Sequence, residues 1–292
     1  MRYAGTQSTV FANGTHLWYE ITGASDAPLV LVHGSWGDHH NWDAVVPGLA
    51  RSFRVLTYDR RGHSLSARPS TQGSLGEDAM DLAALLETLG LAPAHVVGNS
   101  GGAAVGLWLA AQRPDVLRSL VVHEPPLFAL LSDDASMQAP LAAASDRVRA
   151  VLHLLQSGND AAAAERFVDT IAFGPGAWSK MAEEKRHTFI TNAPTFLDEL
   201  MDPQGVTVDL DALRRYTGPA LLTRGERSAP FFPAVVIRLS RELPQARQHL
   251  FSDAGHVPHI THPGEYVEVV TRFIQGAAAG EKAGTAREIG TR

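Results

Sequence analysis

Apolar positions along this chain fall into two alternating patterns. Short, largely Val/Leu runs recur at residues 29–32, 54–58, 95–97, 119–122, 220–223 and 249–251. They lack strict alternation, which is how strands buried on both faces read. Two earlier segments, 9–12 and 16–21, flank Asn13-Gly14, a dipeptide suited to the positive-φ positions of a tight turn, and predict an opening hairpin. Between the runs lie stretches of helical period. In residues 76–89, Leu82, Leu85, Leu86 and Leu89 share one face, with Gly90 as the stop. Residues 102–112, closed by Pro114, and 263–274 read the same way. Strands alternating with helices predict an α/β fold with a largely parallel sheet covered by helices.

Residues 127–215 break this rhythm. They are Ala-rich and helix-favouring, with Pro140, Gly158, Gly174-Pro175-Gly176, Pro194 and Pro203 as punctuation. They predict a helical cap, 127–215, inserted into a core made of 1–126 and 216–276. Residues 277–292 are small and polar with little to bury, and are expected to form a frayed tail. There is no internal repeat.

Composition narrows the class. The 292 residues are 45% hydrophobic and 19% charged, ordinary for a globular chain with a sizeable core. A net charge of −6, with no basic cluster beyond Arg60-Arg61 and Lys185-Arg186, argues against nucleic-acid or membrane partners. The absence of cysteine removes disulfides, thiol nucleophiles and cysteine metal sites, and fits a reducing compartment. Residues 1–14 lack a signal-peptide pattern. The longest apolar stretch, 103–111, is far short of the ~20 residues that span a bilayer. A soluble, cytoplasmic protein is expected.

The first candidate for chemistry is Gly98-Asn99-Ser100-Gly101-Gly102, set between the run at 95–97 and the helix at 102–112. It matches G-x-S-x-G, in which a strand turns sharply into a helix and presents a serine hydroxyl. Small neighbours let the bend close, and the helix N-terminus offers free N–H groups to a developing oxyanion. Elsewhere the pentapeptide would read as a glycine turn with an N-capping serine; its place between strand and helix makes it specific.

Three further motifs follow other strands. His33-Gly34-Ser35-Trp36-Gly37 follows the third, Tyr58-Asp59-Arg60-Arg61-Gly62-His63-Ser64 the fourth, and Ala254-Gly255-His256 the last. In this order, and over about residues 15–275, the four motifs resemble the α/β-hydrolase family, with its H-G-x oxyanion loop, its D-x-R-G-x-G/H-x-S turn and its catalytic Gly-His. The resemblance implies an α/β-hydrolase fold: a mostly parallel eight-stranded sheet flanked by helices, the cap inserted after strand 6. It also implies a serine hydrolase with Ser100 as nucleophile and no cofactor.

A serine hydroxyl needs a base within hydrogen-bond reach. Of thirteen histidines, His256 stands at the family position. His259 and His262 have a spacing that invites a metal reading, but Pro258 and Pro263 interrupt a helix there. His123-Glu124-Pro125-Pro126 is not H-E-x-x-H. No metal is expected. The implied oxyanion donors are the backbone N–H groups of Gly101 and Ser35, with Trp36 as the alternative to Ser35; losing one such donor typically costs ~2.7–4 kcal/mol of transition-state stabilisation.

The acid departs from the family pattern. A G-x-x-D is usual after the seventh strand, whereas this chain reads Gly225-Glu226-Arg227-Ser228. A hydroxyl at 228 cannot stabilise an imidazolium as a carboxylate does. Glu124 ends the sixth strand in His123-Glu124-Pro125-Pro126, which is similar to the H-E-x-P of serine lactonases related to fungal zearalenone hydrolases. Glu124 is therefore the expected acid, Glu226 the second choice and Asp253 the third. Asp59 is expected to be structural.

The cap carries Phe128, Phe167, Phe173, Trp178, Phe189 and Phe196. Most are expected in its core; any facing the serine would favour an apolar or aromatic substrate. Leu127, Leu130, Phe231 with Phe232, Val257 and Trp36 are the expected pocket walls. The partner is expected to be a small-molecule ester or lactone, and a homodimer is left open. A carbon–carbon bond hydrolase of the meta-cleavage type and a cofactor-free perhydrolase share the same triad. Ser100 in place of aspartate argues against epoxide hydrolases and dehalogenases. From another class, Ser228 leaves open a ligand receptor on a hydrolase body.

Overall fold

The computed structural model describes residues 6–68 and 73–289, with side chains to residue 277. The first residues of the expected core, 1–5, and the last of the expected tail, 290–292, lie outside the described residues. Eight strands form one sheet: β1 Thr6–Ala12, β2 Thr15–Thr22, β3 Pro28–Val32, β4 Arg54–Tyr58, β5 Ala94–Asn99, β6 Leu117–His123, β7 Ala220–Gly225 and β8 Arg247–Phe251. Their order is β1-β2-β4-β3-β5-β6-β7-β8. β1 and β2 pair antiparallel, as do β2 and β4; the remaining neighbours are parallel. Asn13 and Gly14 take φ of 45° and 78° in the hairpin turn, the conformation that selects Asn-Gly there.

The parallel strands are apolar on both sides because both faces are covered. Val30, Val32, Val96 and Leu120 pack on the side of the helices Leu75–Thr88, Gly101–Gln112 and Phe231–Glu242. Leu29, Leu31, Val97 and Val121 pack on the other, against Trp42, Leu49, Tyr266 and Val270. The helix Leu75–Thr88 begins where Ser74 accepts from Glu77 N–H, and the chain leaves it at Gly90, φ 65°.

Two helices go beyond the sequence reading. The helix Phe231–Glu242 was not legible, because Pro230 and Pro233 sit at its start; prolines are tolerated in a first turn, where N–H groups lack partners. The last helix runs Pro263–Ile289, through most of the segment expected to fray. Its continuation is rich in Ala, Glu, Lys and Arg, good helix formers that extend a helix already nucleated by its packed first turns.

Between β6 and β7 lie the helices Gln138–Gln156, Asp160–Phe167 and Glu183–Met201 among shorter turns. Their apolar centre receives one side chain from the body. Trp36, in the loop after β3, is fully buried against Phe167 and Phe196, with ring centroids 4.7 and 5.0 Å away. The cap aromatics Phe167, Trp178, Phe189 and Phe196 pack around this knob, whereas Phe173 is half exposed.

Trp36→Ala is expected to lower the unfolding free energy by about 3–5 kcal/mol, the usual cost of emptying a buried aromatic site. Urea denaturation monitored by tryptophan fluorescence checks it; an unchanged midpoint would mean that the cap does not depend on this contact.

Candidate active site

Ser100 follows β5 with φ 54° and ψ −122° and precedes the helix Gly101–Gln112. Only glycine fits on either side of this bend: a Cβ at Gly98 would lie 2.3 Å from Gly102 O, and one at Gly102 would lie 2.1 Å from Val32 O. The Cβ position of Gly101 is 3.3 Å from Ser35 N, so the two expected oxyanion donors belong to touching segments. Ser100 itself is half-buried.

β5 and β6 pair with Asn99 opposite His123, so Ser100 and Glu124 leave the sheet side by side. Ser100 N–H donates to His123 O at 2.9 Å. Asn99 Nδ2 donates to His256 O at 2.9 Å, tying the imidazole loop to the residue beside the serine. Sequence reasoning assigned no such role to Asn99.

Glu124 is fully buried, with φ 48°, a backbone state that costs a non-glycine residue about 1–3 kcal/mol. Its carboxylate is satisfied on every side. Gly225 N–H donates to Oε1 at 2.8 Å; Ser228 Oγ donates to Oε2 at 2.9 Å; His256 Nδ1 lies 2.7 Å from Oε2. Burial alone would raise its pKa; the hydrogen bond to His256, the charges of His123 and His256 and the Gly225 N–H outweigh that and hold it below the ordinary 4.5. Ser228, standing where the family's aspartate is expected, is a donor to the Glu124 carboxylate. Glu226 Oε2 accepts from Asp253 N–H at 2.9 Å, and Asp253 pairs with Arg227 at 2.5 Å on the surface. The structure brings neither to His256 through a hydrogen bond.

His123 lies behind this group. Its Nδ1 is 2.9 Å from Thr223 Oγ1, and that hydroxyl donates to Val122 O at 3.2 Å. Nδ1 thus shares a hydrogen bond with the Thr223 hydroxyl, and Nε2 lies 3.6 Å from Glu124 Oε2. Burial pushes the His123 pKa down to about 4.

The expected pocket walls sort differently from their sequence positions. Leu127 and Phe231 are buried in the body's core, with Leu130 packed against that core. Of the expected pair, Phe232 stacks on His256 at 4.1 Å and 21°, while the helix phase turns Phe231 into the core. Val257 is half-buried next to His256. Asp59 accepts from His39 N–H and Leu65 N–H at 2.9 and 3.0 Å, the expected structural part.

One site neighbour escaped sequence reasoning. Glu199, on the cap helix Glu183–Met201, accepts from Ser35 Oγ at 2.5 Å and from Arg60 Nη2 at 2.9 Å. On the same helix Asn192 donates to Gly37 O at 2.8 Å and accepts from Ser64 N–H at 2.7 Å, and Thr195 Oγ1 lies 3.0 Å from His63 Nε2. The three fall on one helical face and clamp the cap to the loops after β3 and β4.

The profile of the alpha/beta hydrolase fold matches residues 27–263. The chain belongs to that family. Over 262 residues it is 28% identical to the sn-1-specific diacylglycerol lipase ABHD11 of Mus musculus, a match covering 84% of this chain and 80% of the lipase. It is 43% identical over 103 residues to the dihydrolipoyllysine-residue acetyltransferase component of the acetoin cleaving system of Pseudomonas putida, but that match spans only 28% of the relative and 35% of this chain. The crystal structure of a hydrolase from Pseudomonas aeruginosa PA01 superposes with a TM-score of 0.73 at 26% identity, covering 93% of this chain and 99% of that one. Among the described residues no helix is long and apolar enough to cross a membrane.

Ser228→Asp, which restores the family's usual carboxylate, is expected to reduce ester turnover at neutral pH by at least about tenfold, because two carboxylates in hydrogen-bond contact cannot both ionise and one pKa unit is a tenfold effect. Combining it with Glu124→Ala is expected to recover part of the loss. Steady-state rates of the single and double variants decide it.

Proposed function

We infer that this chain is a serine hydrolase cleaving a carboxylic ester or lactone of a small, largely apolar substrate through an acyl-enzyme intermediate. The observation that carries the reading is the 2.7 Å contact between His256 Nδ1 and the buried Glu124 carboxylate, beside a strained serine at the end of the adjoining strand. In this reading Ser100 Oγ attacks the carbonyl carbon as His256 Nε2 takes its proton. Glu124 holds the Nδ1–H tautomer and stabilises the imidazolium. The N–H groups of Gly101 and Ser35 bind the oxyanion. His256 then protonates the departing alcohol, and the same base activates water to release the acid.

The Ser228–Glu124 hydrogen bond supports a relocated acid over a degraded triad, and so weighs against the receptor reading. The preference for apolar substrates draws on Phe232, whose ring covers one face of His256.

A fluorophosphonate probe and a panel of p-nitrophenyl esters and lactones test this. Labelling is expected at Ser100 and lost in Ser100→Ala. Glu124→Gln is expected to lower kcat by about 10³–10⁴-fold, the scale seen when a triad acid is made neutral, while Glu226→Ala and Asp253→Ala keep most activity. No labelling at Ser100, or a dead Glu226→Ala beside an active Glu124→Gln, would overturn the assignment.

A further inference from the structure

Three donor atoms converge behind the inferred base, and serine chemistry uses only two of them. His256 Nδ1 is 2.7 Å from Glu124 Oε2, His123 Nε2 is 3.6 Å from the same oxygen, and all three lie within 4.8 Å of one another. His123 Nε2 has no hydrogen-bond partner among the described residues, although the ring is fully buried. We propose that His123, Glu124 and His256 form a site for a zinc-type divalent cation whose binding switches Ser100 off.

The donor set and its supports fit such an ion. Two imidazoles and one carboxylate, with a fourth position left to water, are ligands that zinc takes at about 2.0–2.2 Å, which sets neighbouring donors about 3.3–3.5 Å apart. The observed separations bracket that spacing. Zinc-binding imidazoles are typically fixed through their other nitrogen by an oxygen partner; Thr223 Oγ1 does this for His123. Gly225 N–H fixes the other oxygen of Glu124, Oε1, while the ion would replace the His256 proton and the Ser228 hydroxyl at Oε2. Magnesium and calcium, which take oxygen ligands, do not match. The cation reaches the cluster past His256, whose side chain is 29% exposed while those of His123 and Glu124 are closed off.

Inhibition follows from the tautomer. A neutral imidazole that coordinates through Nδ1 must carry its hydrogen on Nε2. The Nδ1 proton is released, one is taken up at Nε2, and no net proton is exchanged. With hydrogen on Nε2, the ring has no lone pair to accept the proton of Ser100.

Isothermal titration calorimetry of the full chain with zinc chloride tests the site without any substrate, so its failure is separable from failure of the hydrolase reading. One zinc per chain is expected, none with magnesium chloride, and ester turnover lost in zinc is expected to return with EDTA. Thr223→Val, nearly isosteric, is expected to weaken zinc binding by about 10–100-fold, the usual effect of removing such a supporting partner. His123→Phe is expected to abolish binding. If that variant does not fold, Thr223→Val decides alone. A wild-type chain that binds no zinc at millimolar concentration overturns the proposal. So do variants that bind it as tightly as wild type, which would place the ion on surface histidines such as His40 or His262.

Discussion

One buried carboxylate organises this end of the molecule. Glu124 carries a charge in a place closed to water, and removing one partner of such a buried pair typically costs about 3–5 kcal/mol. Its position is therefore dictated by the donors that surround it: a backbone amide at the end of β7, a hydroxyl in the following loop and the imidazole after β8. Two segments distant from Glu124 in sequence, residues 225–228 and the loop of His256, are held in one arrangement because each satisfies the same group. The unfavourable backbone angle of Glu124 persists for the same reason: the surroundings over-determine it.

The cap is attached by a different kind of contact. Trp36 contributes apolar area, but the alignment of cap to body comes from Asn192, Thr195 and Glu199, spaced along one helix and each facing a loop that carries a sequence motif. Glu199 joins the hydroxyl of Ser35 to the buried guanidinium of Arg60, so the loop expected to bind the oxyanion is braced from above by the cap and from the side by the body. A second acidic group shares the cost of burying Arg60: Asp78 hydrogen-bonds its guanidinium, and burial raises the pKa of Asp78 to about 6.

Much of this was legible in the residues, for reasons that differ by element. The parallel strands announce themselves because a strand covered on both faces has no polar side to interrupt its run. Asn13-Gly14 and the glycines at 98 and 102 are legible because backbone sterics leave few alternatives at those positions. Glu124 could be singled out because Ser228 was visibly the wrong residue for an acid, although that Ser228 would serve Glu124 as a donor was not foreseen. The cap contacts were illegible: Ser35 and Glu199 stand 164 residues apart, and a polar residue on a helix looks the same whether it meets water or a partner. The separation of Phe231 from Phe232 has a similar origin. Without a recognised helix its phase was unknown, and one residue of phase decides which ring meets the core and which meets His256.

The place where the inserted domain begins has a mechanical meaning. Glu124 is followed directly by Pro125-Pro126, a stiff pair with little freedom to absorb displacement, and the cap starts just beyond. The cap's root at Leu127 is thus three residues, two of them proline, from the carboxylate that hydrogen-bonds the imidazole. A carboxylate carried after β7 would stand a strand's width from this junction; here the junction and the carboxylate bonded to His256 are joined by two rigid residues.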